Sequence, residues 1–259
     1  MLTHKSNTAV FGLVMMALLI LHFFVTAIPS LFFILIIVIY AGIVVWGSSQ
    51  INSNYHIKTI CNASQNNKNE IAITFDDGPD AVVTPIVLDI LKKHNLKATF
   101  FCIGKKIDGN ENIILRIFAE GHIVANHSYS HSYFIDFFGT KKMRDEIVST
   151  NSDIEKIINK KIQFFRPPYG VTTPNIAKAV ESLQLKTIGW DVRSMDAVEK
   201  NEDKIVARVT SQLKSGSIIL FHDTNARIAS VLEQTIEHCN KNGFIIVPLD
   251  KLLNTNPYA

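Results

Sequence analysis

Hydrophobic and polar positions divide the chain into an apolar amino-terminal part, a short polar stretch and a longer part of alternating character. Residues 10–28 are apolar with two interruptions, and residues 31–47 are apolar again after Pro29 and Ser30. A helix needs about 20 apolar residues to cross a bilayer, and about 17 is the lower end. We therefore expect two membrane-spanning helices within an anchor that covers residues 1–58.

Two alternatives exist for this region: a cleaved signal peptide, or one span followed by a helix that lies in the membrane interface. A signal peptide has a shorter apolar core and a small-residue cleavage site, and no such site is obvious in the sequence. Lys5 and Lys58 flank the two apolar stretches, and the turn between the stretches carries no charge. The positive-inside tendency then favours a two-pass membrane protein with both ends in the cytoplasm, on the basis of these two lysines.

The remainder of the chain predicts a linker and one α/β domain. Residues 59–70 are polar and rich in asparagine, which is typical of a linker, and the domain is expected over residues 71–253. Seven apolar or β-branched runs are predicted to be strands, at residues 71–75, 98–102, 122–125, 163–165, 187–190, 217–221 and 244–247. Helical stretches lie between most of them, at residues 85–94, 141–159, 174–183, 202–213 and 226–242. This alternation predicts a parallel sheet or barrel.

Charge and cysteine content exclude two classes of function. The net charge is +3, and Lys5 and Lys58 supply two of these charges, so the domain has no basic stripe and nucleic acid is not an expected partner. The three cysteines are widely spaced and form no C-x-x-C pair. A disulfide framework and a cysteine-rich zinc site are therefore not expected, and buried thiols are.

The polar residues that stand out follow the ends of predicted strands. They are Asp76, Asp77, His127, His131, Arg166, Asp191, Asp196, His222 and Asp223. In a barrel of parallel strands the active site lies at the carboxyl ends of the strands, so residues distant in sequence gather around one opening. We expect these side chains to form one site.

The adjacent carboxylates Asp76 and Asp77 indicate a metal, because neighbouring like charges repel unless a cation absorbs them. His127 and His131 have the spacing of two imidazoles on one face of a helical turn. One aspartate and two histidines make a three-ligand catalytic zinc site, and the other aspartate is then free to act as a base. The alternative for the histidine pair alone is a surface helix.

Two further residues have both a chemical and a structural interpretation. Arg166 lies on a proline-rich loop and could hold a carboxylate in a two-pronged geometry, or it could be an ordinary surface arginine. His222 follows a strongly apolar run and could be a general acid. A satisfied core histidine is the commoner case for such a residue considered singly.

Taken together, five motifs resemble the polysaccharide deacetylase family, which is also called the NodB homology domain or carbohydrate esterase family 4. The motifs TFDDGP, HSYSH, RPPYG, WDVRSMD and LFH occur in the family's order between residues 70 and 250. The resemblance implies a distorted (β/α)7-type barrel, here preceded by the two predicted membrane helices. It also implies a metal-dependent hydrolase that removes acetyl groups from N-acetylated amino sugars of a polysaccharide, peptidoglycan or lipid-linked glycan.

The resemblance also assigns roles to individual residues. Asp77, His127 and His131 would bind the divalent metal, commonly zinc, while Asp76 would activate water and Arg166 would orient Asp76.

On the other side of the site, the backbone N–H of Tyr169 would stabilise the oxyanion, and His222 with its partner Asp196 would be the general acid. Leu220 and Pro168 would line the acetyl pocket.

The fourth motif departs from the family pattern D-x-x-D-W. Arg193 stands where the first Asp is expected and Ala197 where the Trp is expected, while Asp196 is retained. The change removes an aromatic wall from the acetyl pocket and adds a positive charge. Arg193 could face an anionic group of the substrate, and a simple pair with Asp191 is slightly favoured.

Other functions for the same residues are open. The site could cleave an acetate ester or a formamide, because a metal, a base and an oxyanion hole serve any acyl transfer to water. The domain could also be a non-catalytic, membrane-anchored module that binds glycan. The sequence has neither a phosphate-binding loop of the G-x-x-x-x-G-K-[ST] type nor a G-x-S-x-G elbow.

Overall fold

The computed structural model describes residues 2–63 and 68–259. Its strands are β1 (Thr59–Ile60), β2 (Glu70–Asp76), β3 (Thr99–Cys102), β4 (Ile123–Asn126), β5 (Phe164–Phe165), β6 (Lys186–Ile188), β7 (Val192–Arg193), β8 (Ile218–His222) and β9 (Ile245–Ile246). Its helices are α1 (His4–Phe24), α2 (Ser30–Ser49), α3 (Val83–Lys93), α4 (Glu111–Ala119), α5 (Thr140–Ile158), α6 (Pro174–Ser182), α7 (Glu202–Gln212), α8 (Ile228–Lys241) and α9 (Leu249–Leu253).

The apolar helices α1 and α2 differ in their bounds from the predicted spans. α1 begins at His4, earlier than predicted, because Thr3 and Ser6 form a capping box at its start. It ends at Phe24, before the predicted end at residue 28, where the helix conformation is disfavoured ahead of Pro29. Each helix has the length and hydropathy needed to cross a membrane, a test that a signal sequence also passes.

All seven predicted strands are present, and two short strands were not predicted. β1 and β7 have two residues each and contain no apolar run long enough to predict a strand. β1 lies inside the predicted linker 59–70, so this part of the linker is attached to the sheet. Residues 64–67 of the linker lie outside the described residues.

The five predicted helices of the domain are confirmed within two residues at each end, as α3 and α5 to α8. The helices α4 and α9 were missed. α4 has a stripe of buried isoleucines, and α9 is a five-residue helix at the end of the domain. Both are short segments in which apolar residues dominate, so their helical period is hard to distinguish from a strand.

The strands form one curled parallel sheet. Its order is β1-β6-β5-β4-β3-β2-β8-β7, with β9 beside the start of β2, and every paired strand runs parallel to its neighbour. This confirms the predicted barrel-like parallel α/β class. Both edges of the sheet are two-residue strands, so the barrel is open between β1 and β7 within the described part of the chain.

The alternation of side chains along β2 places hydrophobic core residues on one face of the sheet and active-site residues on the other. Ile73 and Phe75 of β2 belong to the large cluster between the sheet and its outer helices, whereas Ala72 belongs to a smaller cluster on the inner face. Side chains of a strand alternate between its two faces. Thr74 and Asp76 therefore lie on the same inner face as Ala72, and they point into the curled sheet rather than into the outer core.

Register places the carboxyl ends of the central strands at one level. Asp76 is aligned with His222 of β8 and with Phe101 of β3, and Asn126 of β4 is aligned with Phe165 of β5. The residues that follow these positions leave the sheet at the same edge. The fold therefore brings polar groups separated by up to 146 positions of sequence to one opening.

Candidate active site

The two adjacent aspartates take different positions although they are neighbours in the chain. Asp76 is the last residue of β2 and is buried on the inner face of the sheet. Asp77 has φ of 73°, in the left-handed region, which turns its half-buried carboxylate toward the two histidines. The Lys106 ammonium donates to the Asp77 carbonyl at 2.8 Å and holds this turn in place.

Asp77, His127 and His131 converge on one point. One ligand atom from each lies within 4.8 Å of the other two. Asp77 Oδ1 is 3.2 Å from His131 Nε2 and 3.5 Å from His127 Nε2. This buried oxygen has no hydrogen-bond partner in the described residues, and buried carboxylate oxygens are normally satisfied. A carboxylate oxygen and two imidazole nitrogens fit a divalent cation of the zinc type.

The histidines are arranged as metal ligands usually are. His127 Nδ1 donates to the carbonyl of Arg166 at 2.8 Å, so the ring is oriented with its other nitrogen, Nε2, facing Asp77. Burial, followed by the electrostatic interaction with His127, lowers the pKa of His131 to about 4, so its imidazole is neutral at pH 7. Neutral imidazole is the form that binds a metal.

The carboxylate between these histidines is ionised. Burial by itself would raise the pKa of Asp77, but electrostatic interaction with His127, His131, His222 and Lys106 outweighs burial, and the pKa lies below its ordinary value.

The prediction of a helical turn between His127 and His131 is wrong. The segment is an irregular loop, in which Ser128 (φ 64°) and His131 (φ 48°) adopt left-handed conformations. Glu146 stabilises the loop by accepting the N–H groups of Tyr129 and Ser130, at 3.1 and 2.7 Å. The two imidazoles therefore converge because of a strained loop, which is a feature common at functional sites.

Arg166 is completely buried and is not a surface arginine. Its Nη1 donates to Asp76 Oδ1 at 2.7 Å and to the Thr74 hydroxyl at 2.8 Å, and its Nε and Nη2 donate to the carbonyls of Ile188 and Gly189. The prediction that Arg166 holds a carboxylate with two nitrogens is wrong, because a single guanidinium nitrogen, Nη1, binds Asp76. The other nitrogens fix the guanidinium instead.

His222 is held by Asp196 on the far side of the metal-ligand cluster. Its Nδ1 lies 2.8 Å from Asp196 Oδ1, its backbone N–H donates to Asp196 Oδ2 at 2.8 Å, and its Nε2 lies 4.0 Å from Asp77 Oδ2. Burial opposes protonation of His222, but the hydrogen bond and charge of Asp196 outweigh it, and with Asp76 and Asp77 they raise the pKa to about 9. The imidazole is therefore a protonated donor, as a general acid must be.

Tyr169, Pro168 and Leu220 surround the same opening. Tyr169 has φ of 59°, its hydroxyl donates to the carbonyl of His131 at 3.2 Å, and its ring meets that of His131 at a centroid distance of 4.6 Å. Pro168 is buried at the start of the same turn. Leu220 is buried on β8 two positions before His222, so both side chains lie on the same face of the sheet.

The fourth motif does not form the predicted pair of Arg193 with Asp191. The Asp191 carboxylate accepts the N–H of Ile218 at 2.9 Å and pairs with Lys214 at 3.4 Å. The guanidinium of Arg193 lies over the ring of Trp190, 5.9 Å from its centroid, in a cation–π contact. Because the Asp191 carboxylate already binds the backbone of β8 and Lys214, Arg193 contacts the face of the Trp190 ring instead.

Sequence reasoning missed several residues that support the site. The Thr74 hydroxyl accepts from Arg166, and Lys106 donates to the backbone carbonyl of Asp77. The Asn126 side chain accepts the N–H of Ser128. Buried Asp223 accepts the Thr84 hydroxyl at 2.5 Å beside Gly78, whose missing Cβ would overlap that carboxylate. Asp223 was predicted from its place after His222, whereas Thr74, Lys106 and Asn126 had no sequence signal.

Comparison with known proteins gives one consistent result. The family model described as polysaccharide deacetylase matches residues 63–188. A peptidoglycan-N-acetylglucosamine deacetylase of Bacillus cereus is 34% identical over 194 residues, which cover 73% of this chain and 70% of that protein.

Two solved structures have the same fold. The Bc1960 peptidoglycan N-acetylglucosamine deacetylase superposes with a TM-score of 0.73 at 32% identity, over 78% of this chain and 95% of that one. A family 4 acetyl xylan esterase from Clostridium thermocellum, in complex with a cobalt ion, has a TM-score of 0.66 at 33% identity, over 71% and 90% of the chains.

Proposed function

Because the chain belongs to the polysaccharide deacetylase family, we propose that it removes acetyl groups from N-acetylated amino sugars of a peptidoglycan, a polysaccharide or a lipid-linked glycan. It is a hydrolase of the deacetylase type, which acts on linear amide bonds. The observation that carries the substrate proposal is the grouping of three metal-ligand side chains between a buried carboxylate and a protonated histidine.

Asp77, His127 and His131 would hold the divalent ion, for which zinc is the proposal because one carboxylate and two imidazoles suit it. When bound, such an ion lowers the pKa of water and polarises the acetyl carbonyl. The orphaned oxygen Asp77 Oδ1 supports this assignment.

Asp76 would act as the base. Its Oδ2 lies 3.7 Å from His127 Nε2, next to the ligand cluster, and its Oδ1 is occupied by Arg166 at 2.7 Å. One oxygen is thus fixed by the guanidinium while the other faces the reacting centre. This geometry allows Asp76 to accept a proton from the attacking water, and Arg166 keeps the carboxylate in that orientation.

Protonation of the leaving nitrogen would fall to His222, with Asp196 as its partner. The imidazolium is stable at neutral pH because Asp196 accepts from Nδ1, so the Nε2 proton is available to the departing amine. The backbone N–H of Tyr169 would donate to the oxyanion. Pro168 and Leu220 would enclose the acetyl methyl group.

The apolar helices α1 and α2 would form a membrane anchor within residues 1–58. The segment 59–70, whose first two residues form β1, would lead into the deacetylase domain 71–253. The helices have 21 and 20 residues with mean hydropathy of 2.0 and 2.6. Only 6% of the residues in an apolar 18-residue stretch of each helix are buried by the rest of the protein, so these helices are not part of the hydrophobic core of the domain. A two-pass membrane protein with Met1 and the domain on one side is the proposed arrangement.

Acetate release tests the proposal. The full chain in detergent is stripped of metal, and acetate is measured from N-acetylglucosamine oligomers with and without added zinc or cobalt. We expect metal-dependent release, with a loss of about 1,000-fold in Asp76→Asn, since a positioned base contributes on the order of 10²–10⁴. Asp80→Asn, in the same loop but turned toward the start of α3, is the matched control.

Absence of acetate from a folded, metal-loaded chain would contradict the proposal and favour a glycan-binding module. An esterase would be indicated by faster release from acetylated xylan. The variant His222→Ala adds a second criterion, because an alkoxide leaving group needs less protonation than an amine. The variant should therefore reduce amide cleavage more than ester cleavage.

A further inference from the structure

Three large apolar side chains beside the active-site opening are exposed to solvent. Tyr133 and Phe137 are 85% exposed and Phe134 is 70% exposed, and all three lie in the segment that follows His131. We refer to Tyr133, Phe134 and Phe137 as the aromatic rim. Contiguous exposed apolar side chains of this size usually mark a binding surface.

The aromatic rim is fixed to the active site. The ring of Tyr133 stacks on that of Tyr169 at a centroid distance of 6.0 Å and an interplanar angle of 17°. Tyr169 in turn contacts His131 through its ring and its hydroxyl. Whatever binds the rim therefore lies next to the opening over the metal-ligand cluster.

The same opening adjoins the end of the proposed membrane anchor. The carbonyl of Ser48, in the last turn of α2, accepts the N–H of Thr172 at 3.0 Å, and Thr172 follows Tyr169 by three residues. Ile57, near the end of the anchor segment and after α2, belongs to one buried cluster with Ile135, which lies between the rim residues. The rim is thus joined to the anchor through both the Tyr169 loop and this cluster.

The two helices of the anchor are held together at the end that adjoins the domain. The N–H of His4 donates to the carbonyl of Tyr55 at 2.8 Å, and the Asn7 amide donates to the Tyr55 hydroxyl at 2.7 Å. A Cβ at Gly47 would overlap the Tyr55 ring. The start of α1 and the end of α2 therefore both pack on Tyr55, next to the hydrogen bond between Ser48 and Thr172 that joins α2 to the domain.

We propose that the aromatic rim docks into the headgroup region of the bilayer that the anchor spans, so that the active site opens onto the membrane and takes an acetylated amino sugar attached to a lipid. Tyrosine and phenylalanine are typical of the membrane interface. The exposed Lys141 and Lys142 beside the rim would attract anionic headgroups. The proposal rests on the proposed function and anchor.

Depth-dependent quenching tests docking without reference to activity. The full chain and its Phe137→Trp variant are reconstituted in phosphatidylcholine–phosphatidylglycerol vesicles that contain lipids brominated at a shallow position. Both proteins also carry Trp190→Phe, which removes the other tryptophan of the chain, so that Trp46 in the last turn of α2 reports on the anchor. We expect quenching of Trp46 in both proteins and a further quenched component from the Phe137→Trp variant.

The outcomes separate the two proposals. If Trp46 is not quenched, the anchor proposal fails. If Trp46 is quenched and the new tryptophan is not, the anchor stands and docking of the rim is overturned. A concentration-dependent dimer that Phe134→Ser with Phe137→Ser abolishes, without lipid quenching, would assign the rim to a second copy of the chain and also overturn the inference.

A rate comparison tests the substrate class. The same chain is assayed on an N-acetylglucosaminyl lipid in its own vesicle and on soluble N-acetylglucosamine trimer. The double variant Phe134→Ser, Phe137→Ser should lower the ratio of the two rates about tenfold, since two buried aromatic contacts with lipid are lost. The control Leu115→Ser, Ile245→Ser removes two side chains of 51% and 53% exposure elsewhere and should leave the ratio unchanged. An unchanged ratio in the rim variant would overturn the assignment of a lipid-linked substrate.

Discussion

Arg166 shows how one side chain connects the core to the chemistry. Its guanidinium lies over the Phe101 ring at 4.0 Å and uses three nitrogens to reach two carbonyls, one hydroxyl and Asp76. A buried charge of this kind is tolerated because four of its five N–H donors have acceptors, one of which is a carboxylate. The fixed planar fork of arginine, which lysine lacks, is what allows this arrangement.

Arg166→Lys should therefore lower kcat about 100-fold with little change in KM, because the base loses its orientation rather than its contact with substrate. The free energy of unfolding should fall by about 2 kcal/mol, since buried acceptors lose their partner. Steady-state acetate release and thermal unfolding measure the two effects. Arg116→Lys is the control, because Arg116 pairs with Glu120 and Asp89 at the surface. Retained kcat in Arg166→Lys would mean that Asp76 does not depend on this arginine.

Asp223 predicts a pH effect on stability. Burial raises the pKa of this carboxyl from 3.8 to about 7, against a smaller lowering by the Thr84 hydroxyl. Because the folded-state pKa is the higher one, the native state binds the extra proton between pH 4 and 7. The contribution of Asp223 to stability is present below pH 4 and is lost as the pH rises through 7.

Asp223→Asn keeps an acceptor for Thr84 and removes the titration. The melting temperature of the variant should rise relative to that of the unmodified chain by about 3 °C or more between pH 4 and pH 7. Melting is followed in detergent with a chelator present, so that metal binding does not change with pH. Asp153→Asn, at the surface beside Lys156, should show a constant difference. A constant difference for Asp223→Asn as well would contradict the raised pKa.

At the residue scale, the sequence predicted site residues whose type and motif indicate catalysis or metal binding. It missed residues whose role depends only on which neighbour they contact in the fold. Asp76, Asp77, His127 and His131 stand at strand ends in recognisable motifs. Thr74 is an ordinary strand threonine, and its contact with Arg166 spans 92 positions of sequence. Such a partner cannot be read from spacing, because only the register of β2 and the path of the Arg166 loop bring the two together.

At the element scale, hydrophobic runs predicted β2, β3, β4 and β8 well because these central strands are buried on both faces. Among the residues that the structure describes, β1 lies at an edge of the sheet and pairs with β6 alone, and its polar surroundings resembled a linker. Its pairing with β6 is nevertheless regular, with Thr59 opposite Thr187 and the N–H of Gly189 donating to Ile60 at 2.8 Å. Tertiary pairing thus overrides local composition here.

The role of β1 gives a prediction for truncated chains. A chain of residues 62–259 lacks β1 and the buried side chains of Ile51 and Ile57, whereas a chain of residues 50–259 retains them. Burial of each isoleucine is worth about 1.5–3 kcal/mol, so the shorter chain should melt about 5 °C or more below the longer one. Thermal unfolding of both chains in the same buffer measures the difference. Equal melting temperatures would show that the domain begins after β1.

At the scale of the whole molecule, the anchor and the domain act as one unit in the proposed function. The polar contacts of His4, Asn7 and Ser48 lie at the helix ends that adjoin the domain, and the apolar bend at residues 25–29 lies at the opposite end. This distribution of polar contacts suits a membrane hairpin. The end of the hairpin near the domain lies in water, whereas the bend at the other end does not have to bind protein. Hydropathy predicted the two helices, but it contained no information about where they contact the domain.

Gly47 provides the test of this coupling. Gly47→Leu should displace Tyr55, since even a Cβ at this position overlaps the Tyr55 ring, and should separate the domain from the anchor. The rate on an N-acetylglucosaminyl lipid in the same vesicle should fall about fivefold or more relative to the rate on soluble trimer, because orientation of the site toward the bilayer is lost. Gly42→Leu lies on the same helix with no atom within 4 Å of the added Cβ, and should leave the ratio unchanged. If Gly47→Leu also leaves the ratio unchanged, the anchor serves only to tether the enzyme, and orientation has to come from the aromatic rim alone.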